Sequence, residues 1–155
     1  MFGYSVTRPI TAASVHQELP VVYARMDRGM EIKDYRQAVG NTAPDFVAIS
    51  QTGDYRSADE VRASLLSVFY YGRKFSSKTK ITNVKISGKK AIVTEVSYLE
   101  YDIRKGDVSP AKIAPGHHSD RATSVDTWTK DWGQWRLHQT KTLRSSSKVE
   151  RQRRR

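Results

Sequence analysis

Two residues near the C-terminal end, Asp126 and His138, have types and spacing that suit proton transfer. They lie in the run Asp126-Thr127-Trp128-Thr129-Lys130-Asp131-Trp132-Gly133-Gln134-Trp135-Arg136-Leu137-His138. Asp131-Trp132-Gly133 reads as a three-residue hairpin turn with Gly in the left-handed position. Setting Lys130 opposite Gln134 then places Trp128 against Arg136 and Asp126 against His138. All four side chains share one face, because strand side chains alternate. An imidazole held by a carboxylate is oriented and tuned as a general acid/base. On a solvent-facing surface the same ladder would only steady the hairpin, by up to about 1 kcal/mol per pair.

Three further groups have chemical potential. Ala91, Val93, Glu95, Ser97 and Leu99 fall on one strand face. A Glu among apolar residues is a candidate general base, since burial raises its pKa; on the outer surface it would merely pair with a Lys or Thr. Tyr23 and Asp27 are four apart in a helical pattern and so occupy adjoining parts of one face. Tyr23 is a candidate donor to a developing oxyanion, or a core residue. His117-His118-Ser119-Asp120 has metal-ligand residue types, but no third ligand at helical or strand spacing, and reads as a polar loop. No metal site is expected. No phosphate-gripping Gly-rich loop and no Ser nucleophile motif is found.

The elements that must position these groups are legible from periodicity. Ser14 to Gln17 fits a capping box, followed by Val15, Leu19, Val22, Met26 and Met30 at helical spacing, with Pro20 as a kink or restart. Ile32, Tyr35 and Val39 mark a short second helix that stops at Gly40-Asn41. Asp45 to Ser50 reads as a strand and Thr52-Gly53-Asp54 as a turn. Ser57-Ala58-Asp59-Glu60 caps a third helix with Val61, Leu65, Val68 and Phe69 as its stripe and Gly72 at its end. Strands follow at 78–86 and 91–101 around Ser87-Gly88-Lys89-Lys90, then a polar loop over 102–119, then strands at 120–130 and 134–143. The class is α+β, with helices segregated on one face of a curved antiparallel sheet.

Composition bounds the rest. The chain has 155 residues with 37% hydrophobic content, enough for one domain with a core. The absence of cysteine excludes disulfides, thiol catalysis and cysteine-ligated metal. The longest apolar run, Leu65 to Tyr71, is too short for a transmembrane segment. The start lacks a signal pattern, so a cytoplasmic location is expected, with periplasmic or secreted placement left open by removal of a leader. Net charge is +11, which raises nucleic acid or an acidic surface as a partner. Six basic residues and one acid fall in residues 144–155. Nearly half of the excess is therefore a basic tail, too polar to pack and expected to be flexible. The expected organisation is an N-terminal arm (1–11), one domain (12–143) and that tail (144–155).

The order of motifs resembles the SnoaL-like branch of the nuclear-transport-factor-2-like superfamily. The resemblance rests on Tyr23 to Gly29 leading into Glu31 to Tyr35, on Ala43 to Val47 with Thr52-Gly53 and Ser57 to Glu60, and on the Asp126 to Leu137 hairpin. It covers about residues 12–143 and implies a cone, an α+β barrel in which a curved sheet wraps around a pocket closed by helices, with homodimers common. In the related kinase association domain the position two before the first Trp of the hairpin faces the pocket, which here is Asp126. Some dehydratases of the superfamily have a Tyr and an Asp near the first helix, like Tyr23 and Asp27, and a His from the sheet, like His138. The chain departs from several of them in having no His in the third helix or the next strand.

The resemblance implies a small apolar or aromatic ligand and cofactor-free acid/base chemistry: isomerisation, dehydration or cyclisation. Asp126 and His138 would be the proton-transfer pair, Tyr23 the oxyanion donor and Glu95 an alternative base. Asp27, Ser97, Trp128 and Arg136 would contact the ligand. The alternative is a non-catalytic dimeric binding or association module whose basic tail meets an acidic partner.

Overall fold

The computed structural model describes residues 9–104 and 113–151. Helix α1 (Ala12–Glu31) is capped three residues earlier than the expected Ser14. Thr11 is the N-cap, and Ser14 is its reciprocal partner: the Ser14 N–H donates to Thr11 Oγ1 at 3.0 Å and the Thr11 N–H to Ser14 Oγ at 3.1 Å. A hydroxyl at the third helical position closes the box as Glu or Gln would. Pro20 does not end the helix. It sits on the exposed side, as does His16, whose carbonyl loses its usual N–H partner but can be hydrated.

Helix α2 (Tyr35–Val39) is capped by Asp34, whose side chain accepts from the Gln37 N–H. It packs so tightly on α1 that a Cβ at Gly29 would lie 2.4 Å from the Ala38 nitrogen. Gly29→Ala is therefore expected to destabilise the fold by about 1–3 kcal/mol, because backbone must move to admit one methyl. Urea unfolding measures this, and a loss near zero would show that the two helices are not held this close.

Strands β1 (Thr42–Ile49) and β2 (Tyr55–Ser57) flank a turn at Gly53. The short β2 has no periodicity long enough to be read in the sequence. Helix α3 (Ala58–Tyr71) has the expected Ser57–Glu60 box and ends at Gly72. Of its predicted stripe only Phe69 is fully buried, while Val61, Leu65 and Val68 are half-buried. Then come β3 (Gly72–Ser87), β4 (Lys90–Ile103), β5 (Gly116–Asp131) and β6 (Gln134–Glu150).

The six strands form one open, curved sheet in the order β2-β1-β6-β5-β4-β3. It is antiparallel except that β1 runs parallel to β6, a mixed pairing the sequence did not reveal. The edge strand β3 carries Lys78, Lys80 and Lys85 exposed. Helix α1 lays Val15, Leu19, Val22 and Tyr23 onto Ala91, Val93, Trp128, Trp135 and Leu137 of the sheet, forming the main core. A second cluster joins Ala38, Phe69, Phe75, Tyr101 and Ile103.

Two expectations about unstructured segments are corrected. Strand β4 runs to Ile103 and β5 starts at Gly116, so the 102–119 segment is strand at both ends, while residues 105–112 lie outside the described residues. His117 and His118 are thus strand residues, not loop. His118 is buried and stacked on Tyr101, and His117 faces Asp102. The basic stretch expected to be a flexible tail is also paired: 144–150 continue β6 against His117–Thr123 of β5. Backbone pairing does not need apolar side chains when the neighbouring strand is already placed. Residues 1–8 of the arm and 152–155 of the tail lie outside the described residues.

Candidate functional site

The hairpin that was to join Asp126 to His138 has a different register. Its turn has two residues, not three: Asp131 pairs with Gln134, and Trp132 (φ 53°) and Gly133 (φ 76°) are both left-handed, the signature of a type I′ turn. Trp128 therefore faces Leu137, and a bulge at His138 brings Asp126 opposite Thr140. A one-residue slip sends a side chain to the other face. His138 accordingly turns away from the core. One ring nitrogen lies 2.7 Å from Asp45 Oδ1 and the other 2.7 Å from Thr129 Oγ1. The Asp126–His138 dyad does not exist in this structure. Arg136 follows the same parity, bonding Gln134 Oε1 at 2.8 Å.

The inward face of the sheet brings other predicted residues together. The Tyr23 hydroxyl donates to Asp126 Oδ2 at 2.6 Å and accepts from Trp128 Nε1 at 3.0 Å. The two rings meet edge to face with centroids 5.5 Å apart. Trp128 is fully buried, so it positions Tyr23 instead of lining an open pocket. Glu95 is also buried, between Ile81 of β3 and Ser124 of β5. Its neighbour on that face, Ser97, is half-buried between Thr79 and Ala122. Glu95 Oε2 and Asp126 Oδ1 have no hydrogen-bond partner among the described residues.

Between α1 and β3 lies a cleft of about 570 Å³, lined on the helix by Tyr23 and Asp27 and on the strand by Ser77, Thr79 and Ile81. Asp27 Oδ1 accepts from Ser77 Oγ at 2.7 Å and Thr79 Oγ1 at 2.9 Å. Of these two hydroxyls, Ser77 lies before the strand read over 78–86, and Thr79 lies within it but was not singled out. Their alternation with Ile81 was the available signal. Neither Glu95, Asp126, Ser97 nor Trp128 lines the cleft. Tyr23 joins the cleft to Asp126 behind it.

The electrostatics of this cluster follow from burial of like charge. Desolvation, then the negative charges of Asp126 and Asp27, push the Glu95 carboxyl up to about 8. Burial raises Asp126 to about 6, opposed by hydrogen bonds from Tyr23 and Thr140. Burial and the adjacent Asp126 raise the Tyr23 phenol well above its ordinary value. At neutral pH the cluster thus holds one carboxylic acid and one carboxylate behind a neutral phenol. Such a pair can both supply and accept protons.

No protein-family model and no curated protein sequence matches the chain, but solved structures do. A candidate scytalone dehydratase from Novosphingobium aromaticivorans superposes with a TM-score of 0.71 at 13% identity, covering 93% of this chain and 94% of that one. A candidate dehydratase of the NTF2-like family from Streptomyces avermitilis gives 0.65 at 11% identity, covering 84% and 96%. An NTF-2 like protein of unknown function from Shewanella oneidensis gives 0.58 at 14% identity, covering 82% and 97%. At these identities the likeness is one of fold. With its N-terminal helices laid on an open, curved six-stranded sheet, the chain has the nuclear-transport-factor-2-like fold.

Proposed function

We propose that the α1–β3 cleft binds a small apolar or aromatic molecule bearing a carbonyl or hydroxyl oxygen, and moves a proton on it without a cofactor. The observation that carries this reading is the wall of the cleft: Tyr23 and Asp27, one helical turn apart, with two buried carboxyls behind them. Asp27 has one oxygen fixed by Ser77 and Thr79, which orients the carboxylate towards the ligand as a proton acceptor. For a ketone, it takes a proton from the carbon beside the carbonyl. The C–H electron pair moves into the new double bond, and the carbonyl oxygen gains charge that Tyr23 stabilises by turning its one hydroxyl proton from Asp126 to that oxygen. Glu95, uncharged below pH about 8, keeps a second negative charge away from that oxygen. Two dehydratase candidates among the solved structures of this fold support proton chemistry as the class.

Exchange of the α-protons of 2-tetralone in D₂O, followed by NMR, tests this without the natural substrate. The protein is expected to accelerate exchange, Asp27→Asn to lose about 10²-fold or more, and Tyr23→Phe to lose a comparable factor. Saturable binding of 2-naphthol without any exchange would instead favour a non-catalytic binding module. Equal exchange by the wild type and Asp27→Asn would remove Asp27 from the chemistry.

A further inference from the structure

A second cleft, of about 400 Å³, opens on another flank of α1, between α2 and the β5–β6 hairpin. Three arginines from three elements line it: Arg25 of α1, Arg36 of α2 and Arg136 of β6. No acidic residue is among its lining side chains, and none of the three forms a salt bridge among the described residues. Arg25 and Arg36 are exposed and Arg136 is held only by the neutral Gln134 side chain, so no carboxylate balances the three positive charges that border the cleft. Trp135, buried at 5% exposure, also lines the cleft, and its indole N–H has no acceptor among the described residues. A buried donor without an acceptor is rare and calls for one.

The walls are pre-built. Gln37 Nε2 donates to the Arg25 carbonyl at 3.0 Å, tying α2 to α1. Asn41 Nδ2 donates to the Trp135 carbonyl at 3.2 Å, and the Leu137 N–H to the Asn41 carbonyl at 2.7 Å, tying both to the hairpin. The side chains that could bind a ligand are therefore carried on a frame that does not have to form on binding.

We propose that this cleft binds the dianionic phosphoryl group of a small molecule. A carboxylate offers one charge and two oxygens in a plane. A phosphate monoester offers about two charges and three oxygens pointing in different directions, matching forks that arrive from three elements. The volume exceeds what inorganic phosphate fills, leaving room for an organic portion. The net charge of +11 would draw such anions towards the protein from a distance.

Calorimetric titration with phenyl phosphate at fixed ionic strength tests the proposal, with inorganic phosphate and benzoate as comparison ligands. Phenyl phosphate is expected to bind, and the double variant Arg36→Gln/Arg136→Gln to weaken it by about tenfold or more. Arg36→Lys, which keeps the charge but loses the fork, is expected to fall between. A control double variant on the paired C-terminal strand, Arg144→Gln/Lys148→Gln, should bind as the wild type does. Inorganic phosphate binding as well as the ester would support the site and assign it to the free anion. Equal affinity for benzoate, equal weakening in the control variant, or no change in Arg36→Gln/Arg136→Gln would overturn it.

Discussion

Replacing Glu95 by Gln is expected to stabilise the protein at alkaline pH, by up to several kcal/mol, and to flatten its dependence of stability on pH. The folded-state pKa of Glu95, about 8, lies far above its ordinary value of 4.5. Between those two values the folded chain keeps a proton that the unfolded chain has lost. Stability must therefore fall as pH rises through that window, by about 1 kcal/mol per pH unit, and level off above about 8. Asp126 adds a loss of the same sign between 3.8 and about 6. Gln has the shape of the protonated acid and no charge to desolvate, so it removes the larger contribution. Urea unfolding from about pH 5 to about pH 9 reads the effect directly. Parallel stability profiles for wild type and Glu95→Gln would mean that Glu95 is not buried as described.

The second large effect concerns Trp128. Among the described residues it is the largest side chain with no exposure, and it touches Tyr23 and Trp135 edge to face. Trp128→Ala would open a cavity at the centre of the main core and remove the N–H that holds the Tyr23 oxygen. The expected loss is about 3–5 kcal/mol, a large share of the stability of a typical domain. Trp128→Phe should recover much of the packing but not the hydrogen bond, and so should lower α-proton exchange more than it lowers stability. If Trp128→Ala unfolds at nearly the wild-type urea concentration, the core is not organised around this residue.

The ends of α3, the succession of helices and strands along the chain and the α+β class were legible because each depends on local signals. The Ser57–Glu60 box, the Gly72 stop and the Ser87–Lys90 turn all lie within a few residues of what they determine. Glu95 was legible as an acid in a largely apolar strand face, Tyr23 and Asp27 as a pair one helical turn apart, and Asp126 through the hairpin and the family resemblance. The pairing of Asp126 with His138 was not legible. It depended on a Trp adopting φ 53° at Trp132, a conformation that non-glycine residues seldom adopt, and on a bulge at His138. The strand character of residues 144–150 was hidden for another reason. Those residues are exposed on both sides, so no alternation marks them, and only the preceding length of β5 shows that a partner is available. The parallel contact of β1 with β6 joins residues about ninety positions apart, for which no local pattern exists.

The open sheet ends on one side at β3, a sixteen-residue border whose outward main-chain groups meet no further strand among the described residues. Lys78, Lys80 and Lys85 stand along that border. Were a second molecule to lay the same strand alongside, the two rows of ammonium groups would be brought within roughly 5 Å of strand spacing. Three of the positive charges counted at the outset therefore oppose growth of the sheet by addition of its own kind across this border.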